Sequence, residues 1–528
     1  MEFNLADLFE RVVDTVPDRD ALVAGDRRLT YGELDERATR FAHHLLDVGI
    51  APGDFVGIYA QNRAEWAEAM IGCYKARAVP ININFRYVVE ELRYLFDNAD
   101  LVALVYEAGY GPSVAAALPD APKLRHLVEL DDGSVTVTKD LTAIGYEDAL
   151  AAASGDRDFG PRSPDDLYVL YTGGTTGMPK GVMWRQEDIF FAAMGGGNYG
   201  GVGITEPEQI TANVSAAPAA TLALAPLMHG NAQWTMFVSL FGGSTVVLDA
   251  SHGFDANHIL DLVERENVFV VSLVGDAMAR PLVDAIAARG HAPPMLFAMV
   301  SGGAILSPSI KAEINERMPQ VAVIDAFGAS ETGANGAVDV TDKGPRFRMN
   351  EWTTVIDDDG HLAKEGEIGM LARRGHVPLG YYKDEVKTAA TFVERDGVRW
   401  AIPGDKAVIE DDGTITVLGR GSQCINTGGE KVFPEEVEAV LKSHPAVFDA
   451  IVVGIPDERW GESVTAVVAP RPGTTPTLEE LSAHARESLA GYKVPRHLVL
   501  VDEVERTPAG KPNYRWAKEL AGASLKAT

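Results

Sequence analysis

Residues 167–187 read LYVLYTGGTTGMPKGVMWRQE. An apolar run leads into four glycines and three threonines, and Lys180 follows directly on Pro179. Glycines let successive backbone N–H groups converge on anionic oxygens, threonine hydroxyls add donors, and a lysine adds a point charge. A multiply charged anion is the implied ligand, and phosphate is the commonest. This is not a Walker loop, which needs Gly-Lys-Ser/Thr; here Gly181 follows Lys180. A surface turn would account for the glycines and threonines alone, but the complete string favours phosphate. The strand DLYVLY delivers the loop to a sheet edge, where α/β proteins bind ligands.

A second glycine cluster, GGGNYG, spaces Gly195, Gly197 and Gly200 as G-x-G-x-x-G. A dinucleotide fingerprint needs a strand before it and an acidic residue about twenty positions on. Helix-like QEDIFFAAM precedes it and APAATL follows, so it reads as a loop and nicotinamide chemistry as a distant alternative. The two cysteines, Cys73 and Cys424, give neither a disulfide framework nor a CxxC pair. They read as inert thiols in a reducing compartment, the cytoplasm.

Alternating elements must position the loop. LTYGEL offers a capping box, Thr30 with Glu33, before a helix ending near Gly49. FVGIYA, VPININ and LVALVYE read as strands separated by helices at 62–76 and 88–97, which is parallel-sheet grammar. The pattern resumes at DLYVLYT, STVVLD, VFVVSLV, LFAMVSGG and VAVIDAFG. From about residue 355, short alternating runs around Asp-Gly turns predict hairpins. After Arg420 a further unit has its own apolar set: helix 434–443, DAIVVGI, VTAVVAP, helix 477–489 and HLVLVDEV. The expected fold is mixed α/β. A large N-terminal domain of stacked α/β subdomains with a β-rich element spans 1–419, a hinge 420–422, and a small mobile α+β domain 423–528.

With 528 residues, several cores are affordable; 47 basic against 76 acidic residues leave a net charge of −29. Such a surface repels nucleic acid and anionic membrane, so a polyanionic ligand needs a local positive site. The N-terminal Leu5, Leu8, Phe9, Val12, Val13 and Val16 recur at helical spacing and predict an amphipathic surface helix rather than a targeting signal. The longest apolar stretch, AAPAATLALAPLM, is too short to span a bilayer.

YTGGTTGMPKGV (171–182) resembles the phosphate-loop signature of the adenylate-forming superfamily of acyl-CoA synthetases, adenylation domains and luciferases. PLMHG (226–230), SGGA (301–304), FGASETG (327–333), GYYKDE, PGD (403–405), LGR (418–420), GGEKVFPEEVE (428–438) and RTPAGKPNYR (506–515) follow in the family's order. The resemblance runs from about residue 20 to 520. It implies that a carboxylate attacks the α-phosphorus of ATP to give acyl-AMP, and that CoA then displaces AMP. The implied substrates and cofactors are ATP, Mg²⁺, CoA and a small carboxylic acid, and the resemblance leaves room for a homodimer.

On the matching positions, Thr172, Gly173, Gly174, Thr175, Thr176 and Lys180 would hold the β- and γ-phosphates. Glu331 would be the catalytic Mg²⁺ carboxylate, with Thr175 as a second metal ligand. Gly302, Gly303 and Ala304 would wall adenine and acyl group; Phe327, Gly328 and Ser330 would contact the nucleotide. Phe327 and Ser330 replace the family's usual Tyr and Thr. Asp405 would accept from the ribose hydroxyls with Arg420 assisting, and Lys511 would be the adenylation lysine. Ser422 occupies the pivot, where the family commonly has Asp or Lys. Gly428, Gly429 and Glu430 would line the pantetheine tunnel.

Read alone, Glu331 is an ordinary loop carboxylate and His229 a structural histidine; the motifs change both readings. His229 falls at the acyl pocket. Its neighbour Gly230 stands where amino-acid-activating members have an aspartate, which argues against an amino-acid substrate. Trp234 would line or gate the acyl tunnel, or be core. KGVMWRQEDI, GDAMARPLVDA, GYYKDEVKTAATF and GRGSQCINTGGEKVFPEEVE are similar to actinobacterial ligases for sterol side-chain acids of the cholestenoate type, whose relatives also take medium and long fatty acids. Glycines 195–197, 200–201, 302 and 303 would make room for a rigid steroid. A fatty acyl ligase without steroid activity, or a nucleotide-binding protein without turnover, are the alternatives.

Overall fold

Asn4 opens the first helix, Leu5–Thr15, by accepting the N–H groups of Ala6 and Asp7. Leu5, Leu8, Phe9, Val12 and Val13 are buried along one face, as the periodicity predicts. At the next helix, Tyr31–Asp47, Thr30 and Glu33 form the reciprocal capping box. The helix Ala64–Lys75 differs from a surface helix: every residue is buried. Its Lys75 ammonium therefore carries two partners, Glu10 at 2.5 Å and Asp35 at 2.7 Å, because an unpaired buried charge costs several kcal/mol.

In this computed structural model the described residues are 2–134, 141–174, 177–304, 306–341, 344–357, 359–420, 423–427, 430–457, 461–507 and 511–526. Thr175, Thr176, Ser422, Gly428 and Gly429 lie outside them, as do the side chains of Arg420 and Glu430.

A five-stranded parallel sheet takes the order Val79–Asn82, Phe55–Tyr59, Ala103–Glu107, His126–Leu130, Ile144–Gly145. A larger sheet runs parallel through Thr245–Leu248, Ala220–Ala223, Val268–Leu273, Ala298–Gly302 and Ala322–Ala329. It then turns antiparallel at Gly333–Thr341 and continues into the hairpins of Gly344–Arg348, Thr414–Arg420, Asp405–Ile409 and Ile368–Arg374. The change from crossover helices to Asp-Gly hairpins thus happens within one continuous sheet, where the sequence reads two textures. After residue 423 a separate five-stranded sheet has its own apolar cores, around Val452 and Val464 on one face and Ile451 and Val467 on the other. No helix among the described residues is long and apolar enough to cross a membrane.

One partly buried titratable pair gives the fold a pH dependence. His44, on the second helix, meets His126 Nε2 to Nε2 at 2.8 Å. Burial lowers the His44 imidazole to about 4, the neighbouring imidazole adds to this and Asp47 opposes it. Burial and Arg125 lower His126 too. Between the ordinary 6.5 and about 4 the unfolded chain binds a proton that the folded chain refuses, so stability is complete above the unfolded value and falls as pH drops. Solvent reaching the half-buried pair screens part of this, so the loss is expected to be about 1–2 kcal/mol. Urea midpoints followed from pH 7 down to 4 should show it, and the slope should flatten in His44→Gln; an unchanged slope would contradict the assignment.

Candidate active site

The phosphate-loop strand does not enter a strand-to-helix turn. Leu167–Gly174 pairs antiparallel with Gly177–Arg185, setting Thr172 opposite Lys180 and Gly174 opposite Gly177. The loop is the tip of a hairpin whose two arms bring a hydroxyl and an ammonium to the same level. Asn82 fixes this hairpin from the parallel sheet. Its Nδ2 donates to the carbonyls of Tyr171 (2.8 Å) and Met228 (2.7 Å), and its Oδ1 accepts the Tyr171 N–H. Thr172 and His229 are therefore placed by one buried amide.

His229 is the N-terminal boundary residue of the helix Gly230–Phe241 and is half-buried. Trp234, one turn along, donates its indole N–H to Tyr168 Oη at 3.1 Å. Tyr168 in turn donates to Gln233 Oε1 at 2.6 Å. A Cβ on Gly230 would lie 3.0 Å from the Trp234 ring, so the indole is a held wall packed on that glycine. Asn231 ties the same helix to two strands: its Nδ2 donates to the carbonyl of Gly302 at 2.8 Å and, more weakly, of Leu273 at 3.3 Å.

Gly302 ends the strand Ala298–Gly302, and a Cβ there would sit 3.1 Å from Asn231 Nδ2. Gly303 has φ +87° and only Val274 nearby at 3.9 Å. The room in this wall therefore belongs to Gly303 and not to Gly302. Ala304 packs on the large-domain core. The cluster Gly195–Gly197, at positive φ, packs on Phe190, Phe191, Ile204 and Tyr199. Its glycines serve tight packing and unusual backbone angles, and Phe190 then meets Phe241 of the pocket helix at 5.4 Å. This corrects the sequence reading of Gly302 and of 195–197 as open space.

Phe327 and Gly328 lie on Ala322–Ala329; the Phe327 ring stacks on Phe347 at 5.8 Å. Gly328 backs onto the next strand so closely that a Cβ would lie 2.4 Å from the Gly333 carbonyl. In the turn that follows, the Ser330 carbonyl accepts from Trp184 Nε1 at 3.0 Å, so the phosphate hairpin holds the carboxylate turn. Glu331 is buried and its Oε1 accepts from Tyr381 Oη at 2.8 Å. Beneath, Arg373 donates to the Ala334 carbonyl and Asn335 Oδ1; burial without a carboxylate lowers its guanidinium to about 10. Tyr381, Arg373, Asn82 and Asn231 carry no role in the sequence reading. Tyr381 stands in the quoted GYYKDE, but nothing local says that its hydroxyl reaches residue 331.

Lys180 pairs with Asp384. Asp405 is buried at the start of its strand, directly opposite Arg420 in the antiparallel register. Lys511 is exposed in the C-terminal unit. Its carbonyl accepts from Thr507 N at 2.7 Å and its N–H donates to Thr507 Oγ1 at 3.2 Å. That unit touches the large one where Lys442 approaches Asp276 at 3.8 Å and Ser309 Oγ donates to the Lys442 carbonyl at 3.4 Å.

The arrangement is a lysine and hydroxyl hairpin beside a buried carboxylate, with an apolar helix tied to the hairpin strand through Trp234 and Tyr168 and to the glycine wall through Asn231. It can hold a nucleotide's phosphates and present an apolar acid. Glu331 offers hard oxygen to a divalent cation while Tyr381 satisfies one of its oxygens, a donor chemistry that fits magnesium.

The family profile described as "AMP-binding enzyme" matches residues 9–382, and the one described as "AMP-binding enzyme C-terminal domain" matches 436–511. The chain is 48% identical to a 3-oxocholest-4-en-26-oate–CoA ligase of Rhodococcus rhodochrous, over 99% of this chain and 96% of that protein. It is 49% identical to a medium/long-chain-fatty-acid–CoA/3-oxocholest-4-en-26-oate–CoA ligase of Mycobacterium tuberculosis, over 98% of this chain and 96% of that one. The crystal structure of the anthranilate CoA ligase AuaEII with anthranoyl-AMP superposes with a TM-score of 0.86 over 99% of this chain and 98% of that one; at 24% identity it speaks to the fold alone.

Proposed function

The chain belongs to the AMP-binding enzyme family, and from that premise we propose that it is an ATP-dependent acid–thiol ligase. A carboxylate attacks the α-phosphorus of ATP, forming acyl-AMP and releasing pyrophosphate. The thiol of CoA then attacks the acyl carbonyl, forming acyl-CoA and releasing AMP. The observation that carries this reading is the clamp on which the site is built. The segment around Gly380–Tyr381 reaches Glu331 through Tyr381 and Lys180 through Asp384, so phosphate cation and metal carboxylate share one support.

Within that scheme, Thr172 and Lys180 hold the departing pyrophosphate, with Thr175 and Thr176 on the same loop. Asp405 and Arg420 take the ribose. Phe327, Gly328, Ser330 and the wall Gly302–Ala304 border the adenine. Glu331 would hold Mg²⁺, which would supply charge neutralisation on the phosphates when bound. Lys511 bridges the substrate carboxylate and the α-phosphate. The division at 420–422, with Ser422 as pivot, lets the small domain bring Lys511 in for the first step and Gly428–Glu430 for the second. We place the work in the cytoplasm, in keeping with a chain whose only cysteines are Cys73 and Cys424.

The acid we assign is a sterol side-chain carboxylate. A rigid ring system needs an apolar wall that does not give, and Trp234, tied to Tyr168, supplies one. Pyrophosphate release across fatty, aryl and steroid acids tests this, with kcat/KM expected to be higher for a sterol acid of about 24–27 carbons than for palmitate. A tenfold preference for palmitate would replace the acid and leave the ligase; no release with any acid would remove the ligase.

A further inference from the structure

The pair between Lys180 and Asp384 joins residues 204 positions apart, and its acidic half, which stands in the quoted GYYKDE, has been given no role above. Asp384 uses its two oxygens differently. Oδ1 accepts the N–H of Lys387 at 2.9 Å and so caps the helix Glu385–Thr391; Oδ2 faces Lys180. Lys180 is the first cause holding the Asp384 carboxyl below its usual range. The contact is not a chance meeting of loose side chains. Tyr381 pairs with Val182 in the ladder, Tyr382 N–H donates to the Gly181 carbonyl at 2.8 Å, and Lys383 and Tyr382 both anchor on Asp100 at 2.9 Å. Both backbones beside the pair are therefore fixed.

We propose that Asp384 is a positioning residue of the phosphate site, holding the Lys180 ammonium in the nucleotide-free enzyme and exchanging it for the triphosphate on binding. This deepens the ligase reading and rests on its placement of phosphate at Lys180. A single ammonium cannot satisfy a carboxylate and phosphate oxygens equally, and the carboxylate repels the incoming polyanion. Asp384 is not left stranded by the exchange: Lys387, one turn along its own helix, also draws its charge, and the Lys387 ammonium lies 4.6 Å from the Tyr381 ring centre. The pair thus keeps the lysine of a glycine-rich hairpin extended toward the site before ligand arrives, at a cost in affinity.

Asp384→Asn separates the two jobs, because asparagine caps a helix as well as aspartate does but carries no charge. Equilibrium binding of MgATP to the full chain is expected to tighten about three- to fivefold, the scale of a partly exposed ion pair, with the thermal midpoint unchanged. KM for ATP in pyrophosphate release should fall alongside, with a smaller change in kcat. In the Lys180→Gln background the same substitution should tighten binding by less than half as much. Unchanged or weaker MgATP binding in Asp384→Asn would overturn the proposal, and so would an undiminished gain without Lys180, since Asp384 would then act on the nucleotide directly. Failure of the ligase reading looks different: MgATP binds, responds to Asp384→Asn, and no acid elicits pyrophosphate.

Discussion

Replacing Lys511 by alanine is expected to lower acyl-adenylate formation by several hundredfold or more while leaving conversion of supplied acyl-AMP to acyl-CoA within a few fold of the parent. The magnitude follows from losing one charge contact made in the transition state, about 3–4 kcal/mol. The selectivity follows from place. Lys511 is exposed on the C-terminal unit, and its backbone N–H and carbonyl both meet Thr507, contacts that a truncated side chain keeps. The fold should therefore not suffer, and only the half-reaction that brings this face to the ATP site should. Single-turnover measurement of pyrophosphate release, beside CoA acylation from synthetic acyl-AMP, separates the two steps. Equal damage to both would contradict a small domain that alternates between them.

Glu331→Gln is the second large effect. The amide oxygen can still accept from Tyr381, whose hydroxyl donates to Glu331 at 2.8 Å, so the buried turn keeps its hydrogen bond. What disappears is the negative charge offered to a hard cation. Adenylation is expected to fall about a hundredfold, about 2.7 kcal/mol, with more Mg²⁺ needed for half-maximal rate and acyl preference unaltered. A magnesium titration that superposes on the parent's would place the metal on another residue.

Much of this molecule was legible in order along the chain. Capping at Thr30, the apolar face of Leu5–Thr15 and the parallel strands from Phe55 to Glu107 are short-range features, and period and cap chemistry report them directly. The motifs that carry the family resemblance were legible too, and the family profiles match residues 9–382 and 436–511. The hairpin form of the phosphate loop was not: Leu167–Gly174 and Gly177–Arg185 pair with each other, whereas an apolar run before glycines reads equally well as strand-to-helix. Glycines 195–197 and 302 were misread as space, since a missing Cβ looks the same in sequence whether it faces a cavity or, as at Gly302, an asparagine amide at 3.1 Å.

By itself, then, the sequence determined the elements, the chemical repertoire and the family resemblance, all of which depend on residues within a turn or a motif of one another. Only the tertiary structure decided the supports: Asn82 joining Tyr171 to Met228, Trp184 holding the Ser330 carbonyl, Tyr381 reaching Glu331, and Asp384 facing Lys180. Each joins residues 50 to 204 positions apart. Hydrogen bonds and ion pairs depend on distance and direction in space, and a one-dimensional pattern carries neither until the sheets have brought the segments together.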